Sequence, residues 1–261
     1  MSTKAPTAGP FQRGNPNLSI SGTVIFALVR LADAPLQYFL FTRGWAVRLL
    51  SLFGFRAAQL PITLGPGLGG IGPVPTLLVG MCGLAAVRHA HAFTSTPYIP
   101  VSISLSVALY NAFVNAINTL ATVHTLSSIT PILTRTSFLE YLDWHQYIGF
   151  AVLVAGLGIE FSAEASRKKF KGDPRNRGKL DDTGLWSVVR HPNYLGFFLS
   201  RVGISLATGS YWITLILNSL QFLIFYSGGI PDIEWYMAHK YGAQWEAYTR
   251  RVRWAIIPGV V

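Results

Sequence analysis

The amino-acid sequence predicts an all-α protein, a polytopic membrane helix bundle with six or seven transmembrane helices. Three observations indicate this fold class. The 261 residues are 51% hydrophobic and only 12% charged, whereas soluble domains carry about 25% charged residues. The apolar residues form separate segments between residues 18 and 230, several of them near the length of about 20 residues that spans a bilayer. The basic residues lie mainly beside those segments, as they do in the cytoplasmic loops of membrane proteins.

Composition also narrows the classes of ligand. The net charge of +10 comes without a recognisable nucleic-acid-binding motif, so we expect no nucleic-acid partner. Cys82 is the only cysteine, which excludes an intramolecular disulfide and a cysteine-based metal site. His89 and His91 are only two ligands, so we expect no metal. Residues 1–17 are polar and rich in Pro and Gly, and they predict a disordered tail before a single transmembrane domain, residues 18–261.

The first predicted span, residues 18–41, contains charges that a lipid-facing helix does not tolerate. Arg30 and Asp33 are three positions apart, so they can pair on one face of a helix. An unpaired charge in a membrane helix costs about 2.5–3.5 kcal/mol or more, which makes each residue a functional candidate. The alternative is a pair that only neutralises itself.

The next segments decide between six and seven spans. Residues 45–60 are apolar with two arginines, and they form either an interfacial helix or a short span. A loop rich in Gly and Pro covers residues 61–75. The second span then continues through residues 74–87 and ends at the basic cluster that begins with Arg88.

The third predicted span, residues 98–121, carries a polar face. Asn111, Asn115 and Asn118 follow an i, i+4, i+7 spacing, which places them on one side of a helix beside Tyr110. In a membrane this face should point into the bundle. It can serve hydrogen bonding between helices or form the polar wall of a substrate cavity.

The fourth predicted span, residues 144–162, follows a loop over residues 122–143 and begins with interfacial aromatic residues. It ends in Glu160 and Glu164, one carboxylate per helical turn, followed by Arg167. Acidic and basic groups therefore alternate where this helix leaves the membrane.

The fifth and sixth predicted spans form a hairpin. The fifth begins at Pro192, because proline suits the first turn of a helix, and the sixth covers residues 211–230. Eight Lys/Arg lie in residues 167–190, and more follow in the tail, residues 231–261. A two-helix hairpin separates these basic regions, so both lie on one side, which the distribution of charge predicts to be the cytosol.

The stretch Gly184–Gly196 lies where the basic segment meets the apolar one. A helix N-terminus beside Arg190 and His191 can bind a phosphate, although basic residues and Tyr194 can also serve only as an interfacial anchor. Together with the aromatic tail, this stretch predicts a cytosolic cofactor-binding cap. Its cations would bind phosphates, its aromatic rings would stack on a purine, and its carboxylates would hold ribose hydroxyls or an amide.

Five motifs lie in order within residues 144–261, the motif-bearing half. They are Glu160-x-x-x-Glu164-x-x-Arg167, Asn176-x-Gly178-Lys179, Thr183-Gly184-Leu185-Trp186, Arg190-His191-Pro192-Asn193-Tyr194-Leu195-Gly196 and Lys240-Tyr241-Gly242-x-x-Trp245-x-x-Tyr248. These motifs resemble the steroid 5α-reductase and sterol reductase superfamily, and more closely its uncharacterised bacterial and fungal branch. The superfamily also includes isoprenylcysteine carboxyl methyltransferases, which share the Arg-His-Pro-x-Tyr run but bind S-adenosylmethionine.

The resemblance implies a bundle in the endoplasmic reticulum membrane, with its C-terminus in the cytosol and NADPH in its cap. Three positions depart from the reductase pattern, Phe197 and also Glu164 and Ser166, where the reductases usually have Asp and Gln. Phe197 stands where the reductases have an acidic residue, which favours the methyltransferases. Asp232 and Glu234 ahead of Tyr241-Gly242 are nearer the reductase form. The implied cofactor-binding residues are Glu160, Glu164, Arg167, Arg190, His191, Asn193, Tyr194, Asp232, Tyr236 and Tyr241.

The resemblance therefore implies an NADPH-dependent reductase of a carbon–carbon double bond in a lipophilic sterol, terpenoid or fatty substrate. The proton donor must come from the first four spans, and Tyr110 and Asp33 are the candidates, because a phenol or a carboxylic acid can do this work. His89 and His124 are alternatives, although each can instead be a loop or interface residue. One alternative is a methyltransferase that transfers a methyl group from S-adenosylmethionine to a lipidic acid or amine. A second alternative is a non-catalytic membrane binding module. The sequence leaves the oligomeric state open.

Overall fold

Helices make up the regular structure of residues 20–94, 100–129 and 134–260, the ranges that the computed structural model describes, and no strand occurs within them. The predicted all-α bundle is therefore confirmed. The predicted disordered tail, residues 1–17, lies outside the described residues. The helices are α1 (Ile20–Thr42), α2 (Trp45–Leu52), α3 (Leu60–Thr63), α4 (Pro73–Thr94), α5 (Val101–Ser127), α6 (Trp144–Gly172), α7 (Pro192–Ala207), α8 (Tyr211–Ile224), α9 (Ile230–Tyr241) and α10 (Ala243–Arg251).

Among the described residues, four helical segments are long and apolar enough to cross a membrane. They are α1, α5, α6 and the continuous run Tyr211–Tyr241, in which a π-helical turn joins α8 to α9. For α4 and α7, membrane crossing stays a prediction. By contrast, α2 has eight residues, and at about 1.5 Å per residue it is too short to cross. Residues 45–60 therefore form no seventh span.

Three helices continue past the ends that the sequence predicts. The second span does not stop at Arg88 but runs to Thr94, the third runs to Ser127, and the fourth continues ten residues beyond residue 162 to Gly172. These helices extend into polar sequence, because polar side chains near their ends form ion pairs and hydrogen bonds with neighbouring helices. Arg88 of α4, for example, donates to Glu164 of α6 at 2.6 Å.

The helix ends assemble into two opposite faces. On one face, the motif face, the end of α4 meets the end of α6 through Arg88 and Glu164. On the other, the distal face, Gln59 donates to the carbonyl of Phe41 at 3.0 Å, and the amide of Ala58 donates to Ser127. The ends of α1 and α5 therefore share the distal face with the α2–α3 segment.

Helices α6 and α7 pack backbone against backbone. A Cβ atom on Gly156 would lie 2.5 Å from the amide nitrogen of Ser200, and one on Gly203 would lie 2.5 Å from the carbonyl oxygen of Gly149. Such close approach needs small residues on both helices.

A small cap with its own apolar core lies on the motif face. It joins chain segments that precede and follow Pro192. The core consists of Ile233, Met237, Tyr241, Trp245, Tyr248 and Val252. Pro192 is the first residue of α7, as predicted. The cap is thus a packed unit built by α9, α10 and the loop ahead of α7, as the sequence predicts for this region.

Candidate functional site

A buried polar cluster lies between α1, α5 and α7. Arg30 donates to Asp33 at 2.8 Å, which confirms the pairing expected from their spacing. Asp33 also accepts from Gln37 at 2.8 Å and from Asn115 at 2.6 Å. The Oδ1 atom of Asn115 accepts in turn from Arg201 at 2.8 Å. We call Arg30, Asp33, Gln37, Asn115 and Arg201 the polar cluster.

The predicted asparagine face does point into the bundle. Asn111, Asn115 and Asn118 are all buried, with at most 2% of their surface exposed. Asn115 links helices, in keeping with the helix–helix role. Both side-chain polar atoms of Asn118 and the Oδ1 atom of Asn111 have no hydrogen-bond partner among the described residues, so this face retains polar capacity for a ligand as well.

The polar cluster contains more positive than negative charge. Arg30 and Arg201 are 0% and 3% exposed, and Asp33 is the one carboxylate of the cluster. Over the described ranges, the Nη2 atom of Arg201 and the Nε atom of Arg30 have no hydrogen-bond partner. Buried guanidinium groups are costly unless they are fully hydrogen-bonded. This arrangement therefore suits a ligand that brings an electron-rich oxygen.

Tyr110 lies beside the polar cluster on α5. Its hydroxyl donates to the Oε1 atom of Gln221 on α8 at 3.2 Å, and it interacts electrostatically with Arg201. The two predicted proton donors therefore have different surroundings. Tyr110 holds a hydroxyl proton near Arg201, whereas Asp33 accepts hydrogen bonds from three donors.

A second polar group links the cluster to the motif face. Arg88 donates to Glu164 at 2.6 Å and lies 3.7 Å from Glu160. His89 lies 3.5 Å from Glu160 through Nε2 and 3.1 Å from Arg30 through Nδ1. We call Arg88, His89, Glu160 and Glu164 the junction cluster, because it connects the membrane interior to the cap.

Arg190 holds the cap loop to the C-terminal segment. Its side chain donates to Glu234 at 2.7 Å and to the carbonyl oxygens of Val252 and Arg253. Its backbone amide donates to the carbonyl of Trp254 at 2.8 Å. The motif arginine therefore organises the cap as well as carrying charge.

His191 lies beneath Arg190, next to the same carboxylate. It is 2% exposed, and its Nε2 atom lies 3.2 Å from Glu234. Burial lowers the pKa of His191, while Glu234 acts in the opposite direction. Burial has the opposite effect on an acid and raises the pKa of the Tyr248 phenol. The Tyr248 hydroxyl donates to the carbonyl of Trp186 at 2.6 Å.

The cap also binds to α6. Trp186 donates from its indole nitrogen to the carbonyl of Ala163 at 3.1 Å, and the guanidinium of Arg167 lies 5.2 Å from the Trp186 ring centroid. Lys171 donates to the hydroxyl of Tyr241 at 2.9 Å. These contacts bring the α6 end and the aromatic tail to one place, as the predicted cap requires.

The remaining predicted cofactor-binding residues lie on the same face. Tyr194 stacks on Phe225 with ring centroids 4.9 Å apart, and the hydroxyl of Tyr236 accepts from Lys240 at 3.2 Å. Asp232 is in the first turn of α9, and Asn193 is a half-buried residue in the first turn of α7. Their roles in binding stay predictions.

The predicted site residues did not include Arg201, and they included His89 only as an alternative proton donor, although the fold places both residues at the site. Arg201 is a lone charge in an otherwise apolar stretch after residue 195, and this signal alone could have identified it. His89 follows Arg88 at the predicted end of a span, so nothing in the local sequence separates it from an interfacial residue. Within the described part of the chain, no group of three His, Cys, Asp or Glu could hold a metal ion.

Comparison with known proteins gives a family match over more than half of the chain. Residues 102–252 match the family described as "Protein of unknown function (DUF1295)". The chain is also 29% identical over 210 residues to a probable O-methyltransferase (ustE) of Ustilaginoidea virens, a match that covers 76% of this chain and 71% of that relative.

Two shorter matches are to enzymes of different chemistry. The chain is 32% identical over 119 residues to a protein-S-isoprenylcysteine O-methyltransferase of Schizosaccharomyces pombe, covering 45% of this chain and 47% of the relative. It is 36% identical over 107 residues to a Delta(14)-sterol reductase of Septoria lycopersici, covering 31% of this chain and 21% of the relative. The chain is thus similar to a reductase and to methyltransferases.

Proposed function

Because this chain belongs to the DUF1295 family, a steroid 5-alpha-reductase-like family, we propose that it is a membrane-bound, NADPH-dependent reductase. The substrate is a lipophilic sterol, terpenoid or fatty molecule in which a carbon–carbon double bond is conjugated to a carbonyl group. The homologues named as sterol reductases and methyltransferases support membership of an enzyme family. The reaction itself is our proposal.

The charge of the cap fits NADPH, which is a polyanion. Residues 160–190 carry eight Lys/Arg against five Asp/Glu. Arg167, Lys171 and Lys240 lie over aromatic rings, an arrangement that offers cations for phosphates and ring faces for an adenine. In the junction cluster, the Nε and Nη1 atoms of Arg88 are buried with no hydrogen-bond partner among the residues described, and a ligand oxygen would satisfy them.

The single observation that carries the proposal is the Nη2 atom of Arg201 in the polar cluster, which is buried with no hydrogen-bond partner among the described residues. When bound, NADPH would supply a hydride to the alkene. Negative charge then develops on the substrate's carbonyl oxygen, and a fixed, buried cation stabilises that charge more in the transition state than in the ground state. Arg201 is such a cation, and Arg30 adds a second positive charge nearby.

Tyr110 is the proton donor in this proposal. Its hydroxyl is near Arg201 and is oriented by Gln221. A proton from this hydroxyl joins the carbon next to the carbonyl, so that a hydride and a proton together saturate the double bond. Asp33 orients Arg30 and Asn115 through the hydrogen bonds that it accepts, and we assign it a positioning role.

A methyltransferase is the second candidate, since the match to the fungal O-methyltransferase covers 76% of this chain and Phe197 brings no charge to the family's acidic position. In that case a substrate carboxylate would attack the methyl group of S-adenosylmethionine. A buried cation such as Arg201 stabilises a free carboxylate more than the transition state in which its charge is being neutralised. The charge of the polar cluster therefore favours the reductase.

We further propose that the protein resides in the endoplasmic reticulum membrane with the motif face in the cytosol. The eight Lys/Arg of residues 167–190 support this orientation. Cytosolic NADPH would then reach the cap directly, while the lipophilic substrate enters from the bilayer.

Ligand-dependent stability separates the candidates. The protein in detergent is heated with NADPH, NADH, S-adenosylmethionine or no ligand, and its melting temperature is measured. A ligand at about 100 times its dissociation constant stabilises the fold by about 2.7 kcal/mol, so NADPH should raise the melting temperature clearly. A shift with S-adenosylmethionine alone would favour the methyltransferase, and no shift with either would favour a non-catalytic binding module.

Variants at two residues, Arg201 and Asn193, test the site itself. In a screen of steroid, terpenoid and fatty enones, with progesterone as the first probe, NADPH consumption identifies a substrate. Arg201→Gln should then lower kcat about 100-fold, as loss of an oxyanion donor does in other enzymes, while Arg201→Lys retains part of the rate.

Asn193→Ala should weaken NADPH binding while the melting temperature of the protein stays the same. Unchanged affinity would remove Asn193 from the site.

A further inference from the structure

The junction cluster contains a donor and an acceptor that face each other at the outer limit of hydrogen-bond distance, without the geometry of a well-formed hydrogen bond. The Nε2 atom of His89 and the Oε2 atom of Glu160 are 3.5 Å apart. Neither atom has a hydrogen-bond partner among residues 20–94, 100–129 and 134–260. Their residues are only 4% and 5% exposed. Buried polar groups are normally satisfied, so this pair points to a ligand.

Arg30 determines which nitrogen of His89 carries the proton. The Nη2 atom of Arg30 lies 3.1 Å from Nδ1 of His89, and arginine can only donate. The Nδ1 atom therefore accepts and has no proton. In the neutral ring the proton must be on Nε2, which is the atom that faces Glu160. His89 thus presents a donor beside a carboxylate acceptor.

A primary carboxamide matches this pair, because its carbonyl oxygen accepts and its amide nitrogen donates. We infer that His89 and Glu160 bind the carboxamide of the nicotinamide ring, His89 donating to its oxygen and Glu160 accepting from its nitrogen. The inference rests on the proposed function, since it locates the reactive end of NADPH. It adds His89, a residue of α4 that no motif of the family match contains.

Phe197 of α7 lies beside the imidazole ring of His89. Its ring centroid lies 5.0 Å from that of His89 and 5.7 Å from that of Phe225. An aromatic face beside a carboxamide site suits stacking on a flat nicotinamide ring. The departure from the acidic residue of the reductases then has a physical role.

The same helix connects this subsite to the polar cluster. Phe197 and Arg201 are four positions apart on α7, about one helical turn along the axis. His89 also contacts Arg30, which belongs to the polar cluster. A nicotinamide at the junction cluster would therefore adjoin the substrate oxygen that we assign to Arg201.

Binding measurements without turnover test this inference. Affinities of two ligands are measured in detergent, NADPH and adenosine bisphosphate, its adenine half, which lacks the nicotinamide. His89→Phe should weaken NADPH binding about tenfold, as expected for one lost hydrogen bond of about 1.4 kcal/mol. The same variant should leave adenosine bisphosphate binding within about twofold, because the phosphate and adenine contacts are retained. His89→Gln, which keeps a donor near the Nε2 position, should recover most of the NADPH affinity.

The matched control is His124→Phe, a histidine on the distal face whose ring packs against Phe55. It should change neither affinity. Wild-type protein provides a further arm that needs no variant, the acetylpyridine analogue of NADPH, in which a methyl group replaces the amide nitrogen. This analogue cannot donate to Glu160 and should bind about tenfold more weakly than NADPH.

The outcomes separate this inference from the proposed function. Equal NADPH affinity in His89→Phe and wild type, or equal affinity of wild type for NADPH and its analogue, would overturn the nicotinamide subsite while leaving the reductase standing. Failure of both NADPH and adenosine bisphosphate to bind wild type would overturn the proposed function and the subsite together. Tight binding of S-adenosylmethionine that His89→Phe abolishes would reassign the pair to a different cofactor.

Discussion

Asn115 of α5 donates to Asp33 at 2.6 Å and accepts from Arg201 at 2.8 Å. The amide of Asn115 thus bridges the carboxylate of Asp33 on α1 and the guanidinium of Arg201 on α7. Its orientation follows from its partners, because a carboxylate accepts and a guanidinium donates. This relationship makes Asn115 the residue on which the geometry of the polar cluster depends.

We expect Asn115→Ala to lower the free energy of unfolding by about 1–3 kcal/mol, because it leaves Asp33 and Arg201 short of one partner each. Thermal unfolding in detergent measures the change. The control is Phe113→Ala on the same helix, because the Phe113 side chain is 64% exposed. This substitution should have a smaller effect. Equal stability of Asn115→Ala and wild type would mean that the cluster is satisfied without this residue.

Two glycines of α6 should respond in opposite ways to the same substitution. A Cβ on Gly156 would lie 2.5 Å from the backbone of Ser200, whereas one on Gly158 meets nothing within 4 Å. Gly156→Ala should therefore destabilise the protein by about 1–3 kcal/mol through overpacking. Gly158→Ala should be neutral or stabilise by up to about 1 kcal/mol, since alanine favours helix. Melting temperatures of the two variants provide the comparison, and the same sign for both would contradict the close packing of α6 on α7.

Arg190→Gln should loosen the C-terminal segment from the cap. The variant loses the ion pair with Glu234 and the bonds to the carbonyls of Val252 and Arg253. Limited proteolysis should cut the tail faster, and NADPH affinity should fall. Arg175→Gln is the matched control, because the Arg175–Asp173 pair is exposed and exposed pairs contribute little. If both variants resist the protease as wild type does, the cap is held by its apolar core alone.

Acid should destabilise the cap through His191. Burial lowers the pKa of His191 below its usual value of 6.5, so the unfolded chain binds a proton at a higher pH than the folded chain. Stability is then fully present above about pH 6.5 and is lost as the pH falls toward the lowered pKa, by up to about 1.4 kcal/mol per pH unit. Glu234, Arg190 and Arg167 are the charged groups that act on His191. Melting temperatures from pH 7.5 down to about 5 should fall less steeply in His191→Asn, and an unchanged slope would exclude His191 as a source.

The sequence was informative wherever local chemistry sufficed. The three-residue spacing of Arg30 and Asp33 predicted their pairing, and the asparagine spacing predicted a buried face, because helical periodicity is a property of the local chain. Pro192 at the start of α7 was equally predictable. Helix ends were less predictable. Helix α6 continues to Gly172, and its last turns contact the cap through Arg167 and Lys171, which no local pattern reveals.

The functional residues also divide into those that the local sequence identifies and those that only the fold brings together. By itself the sequence determined an all-helical membrane protein with a basic motif face, because apolarity, helical period and charge distribution are carried by neighbouring residues. Only the tertiary structure brought His89 of α4 to Glu160 of α6 and Arg201 of α7 to Asn115 of α5. Such pairs arise from the close packing of helices that are distant along the chain, and the hydrogen-bonding direction of His89 depends on a third helix, through Arg30.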